Sequence, residues 1–85
     1  KLAVIEIASN EDYPIDIRKK AIDNLGAFKD PSVIPKIIPV LEDKKNYVYY
    51  DNILDMIYML GEEKIWAEQV RRMAYKASFK QKEIE

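Results

Sequence analysis

Asp51 and Asp55 stand one helical turn apart, a spacing at which two carboxylates can share a cation or divide into acid and base. Nothing beside them supports either role. The chain has no His and no Cys, which removes the commonest general base, the commonest zinc ligand, thiolate nucleophiles and disulfides together. Thr is also absent, and Ser occurs only as Ser9, Ser32 and Ser78, so hydroxyl nucleophiles are scarce. Two acidic residues on one helix face without a His, Cys or Ser neighbour read as solvated side chains. No catalytic, cofactor-binding or metal-ligating residue is assigned, and a non-enzyme is expected.

The remaining groups with chemistry to offer are suited to recognition. Tyr47, Tyr49, Tyr50 and Tyr58 crowd into one segment, and tyrosine buries area while keeping a polar tip, which suits both cores and interfaces. Tyr47, Tyr50 and Tyr58, with Asp51 beside them, are the candidate contacts for a protein partner, and core packing or stacking of units is the other use open to the tyrosines. Arg72, Lys76 and Lys80 form a helical stripe, and residues 64–82 hold six positive charges against one negative, Glu68. That stripe is the candidate phosphate contact of an alternative, nucleic-acid-binding reading. Against it, 14 Lys and Arg face 15 Asp and Glu over the whole chain, and few Ser, Thr or Gly lie nearby to add contacts.

These residues sit in 85 positions of 10.0 kDa, with 48% apolar and 34% charged residues and only two Gly. Such a chain makes one small, helix-favouring globular domain. Its apolar fraction and balanced charge argue against disorder. No apolar run approaches the about 18 residues that cross a bilayer, and Lys1–Ser9, with Glu6 in its middle, makes a poor signal peptide. No membrane association is expected, and a cytoplasmic setting is the default. The sequence opens on Lys1 inside an apolar pattern, so a piece of a longer protein is expected.

Apolar spacing is helical almost throughout. Leu2, Val4 and Ile5 mark a first helix ending near Ser9-Asn10. A second begins at Pro14, with Asp12 as cap, and Ile15, Ile17, Ala21, Ile22, Leu25 and Phe28 are its expected buried stripe. Gly26 falls near its end, and Lys29-Asp30-Pro31 breaks the pattern. A third segment, Val33–Leu41, is capped by Asp30 or Ser32. Pro39 should kink it, and a strand is rejected because two prolines would strip ladder donors. Asn46 is the expected cap of the fourth helix, Tyr47–Leu60. That helix has two apolar stripes, one of Tyr49, Ile53, Met56, Ile57 and Leu60, the other of Tyr47, Tyr50, Leu54 and Tyr58, so it should be sandwiched between neighbours. Gly61 ends it. The last helix runs from Glu62 to about Phe79 with Ile65, Trp66, Gln69, Val70, Met73, Ala74 and Ala77 inward, and residues 81–85 are expected to fray.

The pattern repeats. Residues 17–26 set over residues 52–61 at a shift of 35, pairing Ile22 with Ile57, Leu25 with Leu60 and Gly26 with Gly61. The run Ile17-Arg18-x-x-Ala21-x-x-x-Leu25-Gly26, followed by Asp30-Pro31-x-x-Ile34-Pro35-x-Ile37-Ile38-x-x-Leu41-x-Asp43, resembles the HEAT-like (armadillo-like) repeats, including the shorter phycobilisome-lyase type. Coverage is Leu2 to Leu60, with the last helix matching only in outline. The second unit departs from the pattern, with Asn52-Ile53 for the Ile-Arg pair and Met56 for the small Ala. A tetratricopeptide array would need a W-x-x-L-G-x-x-Y run, which Trp66-Ala67-Glu68-Gln69 does not supply.

The resemblance implies an all-α fold: a short right-handed α-solenoid of about five helices in antiparallel pairs, two and a half repeats in a single domain over residues 1–85, with a plain helical bundle as the alternative. It implies that Arg18 reaches an inter-helix Asp, here Asp43 or Asp12, and makes Arg18 a further candidate for partner contact. It implies a non-catalytic scaffold whose groove, lined by Pro14–Phe28 and Tyr47–Leu60, takes a protein, with self-association as a further possibility. The nucleic-acid alternative corresponds to DNA-glycosylase relatives built from such helices. A lyase role has no residue to carry it, and the iron hydroxylases of this group need His, which is missing.

Overall fold

Residues 2–84 are described by a computed structural model, with side chains except those at positions 2, 44 and 76–84. The described chain is all-α. Five α-helices, α1 (Leu2–Ser9), α2 (Ile15–Ala27), α3 (Ile34–Ile37), α4 (Tyr50–Met59) and α5 (Glu63–Ile84), are joined in part by 3₁₀ segments at Pro31–Val33, Ile38–Glu42 and Lys44–Tyr49. Among the described residues no helix is long and apolar enough to cross a membrane.

Turn chemistry sets where the helices stop. Three connections use the same device, an Asn or Asp side chain accepting from the backbone N–H two residues on: Asn10 from Asp12 (2.9 Å), Asp30 from Ser32 (3.0 Å) and Asp43 from Lys45 (3.1 Å). Such turns hold the backbone where a helix has ended. The fourth connection is different. Gly61 takes φ +72°, its N–H bonds the Tyr58 carbonyl, and the Glu62 N–H bonds the Ile57 carbonyl, both at 3.1 Å. This is the paired Schellman arrangement that satisfies the last carbonyls of α4.

Several expected details are corrected. Asp12 does not cap α2; Pro14 holds that position in an extended conformation with no side-chain bond, as suits a residue without an N–H just outside a first turn. Gly26 does not close α2. The helix runs on to Ala27, and it is Lys29 that takes the left-handed conformation, at φ 55°. Gly26 instead admits α4: a Cβ there would lie 2.9 Å from Met59 Sδ. The third segment is helical but is not one kinked helix. Pro35 and Pro39 each remove an N–H donor, and the result is one α-turn continued by a 3₁₀ stretch. Asn46 caps nothing; it is buried inside the next 3₁₀ segment, which Asp43 caps. The regular part of the fourth helix accordingly begins at Tyr50 rather than Tyr47.

The core collects Ala8 from α1, Ala21, Ile22 and Leu25 from α2, Val33, Ile34, Ile37, Ile38, Val40 and Leu41 from the middle, Tyr49, Ile53, Met56 and Ile57, and Val70 from α5. On α2 the buried face is Arg18, Ala21, Ile22, Leu25 and Gly26, spaced as an amphipathic helix requires. Ile15, Ile17 and Phe28, read as part of that stripe, are instead exposed, because the face is centred one step around the helix with Arg18 on it. Ile65 is also exposed, at 65%, and Gln69 with it; the inward face of α5 follows Trp66, Ala67, Val70, Met73 and Ala74. Helix α2 packs on α1 and α4, α4 on α2 and α5, and α5 also touches both 3₁₀ stretches that flank Asp43.

Candidate functional site

Arg18 is the most unusual side chain of the core. It is only 4% exposed, although a guanidinium is charged at any pH a protein meets and is costly to take out of water. Its surroundings meet part of that cost. Nε donates to the Ala8 carbonyl at 3.0 Å, in the last turn of α1, where free carbonyls and the helix dipole favour a cation. Nη1 reaches Asn46 Oδ1 at 3.5 Å, and the guanidinium carbon lies 4.4 Å from the centre of the Tyr49 ring, a cation–π distance. Asn46 is held in turn, its Nδ2 donating to the Val40 carbonyl at 2.9 Å. Arg18 thus joins the end of α1, the face of α2 and the strand of chain around Asn46.

The expected Arg–Asp ladder is not formed. Neither Asp43 nor Asp12 pairs with Arg18: Asp43 turns to Lys45, and Asp12 is exposed. Nη2 of Arg18 is buried and makes no hydrogen bond among the described residues. A cleft of about 280 Å³ is lined by Glu11, Ile15, Arg18, Lys45, Asn46, Val48 and Tyr49. Lys45 Nζ meets Glu11 Oε1 at 2.9 Å and Asp43 Oδ2 at 3.5 Å. The hydrogen bond that Lys45 donates to Glu11, then the charges of Asp43 and Glu11, hold the Lys45 ammonium above the ordinary lysine value of 10.5.

The other candidates gather elsewhere. Tyr47 and Tyr50 stack face to face, ring centres 5.8 Å apart and planes 6° from parallel. Tyr58, half exposed, accepts a hydrogen bond from Arg71 Nη2 at 2.7 Å, which ties α4 to α5. Asp51 is exposed beside Tyr50. The second apolar stripe of α4 is therefore an outward face, with Leu54 and Tyr50 half buried and Tyr47 and Tyr58 more open. Arg18 does not belong to this group. Arg72 is exposed and pairs with Glu68 at 2.7 Å within its own helix; the side chains of Lys76 and Lys80, its partners in the basic stripe, lie outside those described.

Sequence reasoning passed over Asn46, Tyr49, Lys45 and Glu11 as a group. The signal present was slight: Arg18 stands within an apolar stripe, so it must be either an edge residue or a buried charge with partners. Those partners come from Ala8 and from Asn46, 28 residues further on, a separation no local pattern spans. Comparison with protein-family models, curated proteins and solved structures gives no match.

Proposed function

We propose that this chain is a non-catalytic helical-repeat module of HEAT-like, armadillo-like type that binds a protein along one face. The observation that carries the reading is a shared buried register. Shifted by 35 residues, the core face of α2 (Arg18, Ala21, Ile22, Leu25) falls on Ile53, Met56, Ile57 and Leu60 of α4, of which the first three are fully buried and Leu60 packs against the core. Two helices burying corresponding positions against each other and against separate partners is what stacked two-helix units require. Contacts between next-but-one elements support the same reading: α1 with α3, α2 with α4, and α5 with Ile38–Glu42.

The partner face in this reading is the outward stripe of α4, with the Tyr47–Tyr50 stack at one end, Asp51 beside it and Tyr58 about two turns further along. Aromatic rings with polar tips on a helix are typical anchors of protein interfaces. The nucleic-acid alternative rests on the basic stripe of α5, where Arg72 is already engaged by Glu68 and Arg71 by Tyr58. Affinity capture with the 85-residue chain tests the first reading. A defined prey retained by the wild type and lost on Tyr47→Ala plus Tyr58→Ala supports it, with an unchanged circular dichroism spectrum showing that the fold survives. Prey retained by the double variant, or DNA affinity at 50 mM salt that falls steeply with added salt, defeats it.

A further inference from the structure

We propose that the outward stripe of α4 seats one basic, amphipathic helix of a partner protein. The proposal rests on the partner face of α4 and adds what fills it. Its template is the way α4 itself is seated. Helix α4 covers the flank of α2 that holds Asp23 and Gly26: Asn52 Nδ2 donates to Asp23 Oδ1 at 3.0 Å, and Met59 lies over Gly26, its Sδ 2.9 Å from where a Cβ would stand. Shifted by 35 residues, that flank falls on Tyr58 and Gly61. There Tyr58 is 48% exposed, and a Cβ on Gly61 would meet nothing within 4 Å. Arg71 reaches Tyr58 from α5 and borders the flank without covering it. The flank that takes a helix on α2 is thus open on α4, and a helix is the shape that fits it.

Charge names the kind of helix. Around α4, at about 100° per residue, the order is Tyr50, Leu54, Tyr58, Asp51 and Asp55, running from half-buried to exposed. The apolar part gives way to two acids one turn apart. Neither carboxylate has a hydrogen bond or an ion pair among the described residues, and α4 contains no Lys or Arg. A helix with apolar residues at steps of three and four, and Lys or Arg at steps of four along one border, complements both parts. The α4 of a second copy would bring two more acids and no cation. A nucleic acid or an anionic lipid surface would be repelled by the same pair.

Titration of the ¹⁵N-labelled chain by NMR tests this, with a blocked, Ala-rich peptide of about 18 residues as probe. The peptide carries Leu at steps of three and four and Lys along one border. It should give saturable amide shifts centred on Tyr50, Leu54, Tyr58 and Gly61. Replacing its Lys by Glu should weaken binding more than about tenfold, and a central Pro, which breaks the helix, should abolish it. Asp51→Asn plus Asp55→Asn, at exposed positions, should weaken the Lys peptide about threefold to tenfold. Asp12→Asn plus Asp16→Asn, also exposed but off α4, should leave it unchanged. An equal response to the Glu or Pro peptide, equal effects of the two double variants, or shifts centred away from α4 would overturn the proposal. So would dimers of the chain alone in sedimentation velocity that vanish in Tyr58→Ala, which would give the stripe to a second copy. Captured prey separates this proposal from the reading beneath it. Prey lost on Tyr47→Ala plus Tyr58→Ala but held equally by Asp51→Asn plus Asp55→Asn keeps the face and rejects the basic helix. Prey retained by the tyrosine variant rejects both.

Discussion

Arg18 and Ile53 occupy equivalent places, 35 residues apart on the buried faces of α2 and α4, yet they organise their surroundings in opposite ways. Around Ile53 the contact is apolar, and the turn of the hairpin it belongs to is closed by backbone, through Gly61 and the paired bonds to Tyr58 and Ile57, with the Arg71–Tyr58 bond across the exposed side of the two helices. Around Arg18 the hairpin α1–α2 is closed by a side chain: the guanidinium reaches the Ala8 carbonyl and draws in Asn46 and Tyr49. Two buried positions that correspond under the 35-residue shift thus act as apolar filler on α4 and as a polar clasp on α2. Each half keeps one buried polar atom without a hydrogen bond among the described residues, Nη2 of Arg18 in the clasp half and Oε2 of Glu63 in the filler half, and the clasp half also has a cleft.

The sharpest way to break this equivalence is to empty the matching positions that both halves fill with the same residue. Ile22 and Ile57 are each fully buried and correspond under the 35-residue shift. Ile22→Ala and Ile57→Ala should each cost about 3 kcal/mol of unfolding free energy by urea denaturation, within about 1 kcal/mol of one another. A loss confined to one of them would mean that the two helices do not share a core.

Next in size is the clasp itself. Arg18→Ala removes the guanidinium, opens space beside Tyr49 and leaves the Ala8 carbonyl without its bond, and should cost about 3 kcal/mol. Arg18→Met keeps the volume and abolishes the buried charge; such replacements are often near neutral, so about 1 kcal/mol is expected, for the unpaired acceptors. Equal losses in the two variants would show that the charge, and not the volume, holds α1 to α2.

Two helix ends differ in the same spirit. Gly61 takes its positive φ at no steric cost, while Lys29 takes one with a side chain attached. Gly61→Ala should lower stability by about 1 kcal/mol, and Lys29→Gly should raise it by about 0.5 kcal/mol, since a side chain in the left-handed region costs about 1–2 kcal/mol and glycine's larger unfolded-state entropy offsets part of the gain. Thermal unfolding of the two variants, moving in opposite directions from the wild type, checks both signs.

Which of these features could be read beforehand follows from how local each one is. The spans of α1 and α2, the end of α4 at Gly61, the helical nature of Val33–Leu41 and a cap at Asp30 or Ser32 all rest on neighbours within a turn or two and were legible, whereas the start of α4 was read three residues early. Phase was less so. A stripe with steps of three and four leaves more than one candidate face, and only packing decided that Arg18 points inward while Ile15, Ile17, Phe28 and Ile65 do not. The role of Gly26 is not local either: it stands near a helix end, but the side chain that needs its missing Cβ, Met59, lies on another helix. At the cleft the distance is greater still: Glu11, Arg18 and Lys45 meet only once α1, α2 and the stretch after Asp43 are in place.

The smallest expected effect bears on the surface of the clasp. Lys45 titrates above 10.5 chiefly because Glu11 accepts its hydrogen bond, with Asp43 and the Glu11 charge adding to it. A raised lysine value means that the folded chain holds this proton more tightly than the unfolded one, so the contribution is fully present below about pH 10.5 and fades as pH rises through the higher folded value. Glu11→Gln should bring the Lys45 titration, followed by its side-chain Cε resonance, part of the way down, Asp43 keeping the remainder; 1 M salt should do the same to the wild type. A titration unmoved by Glu11→Gln would mean that Glu11 does not hold Lys45 in solution.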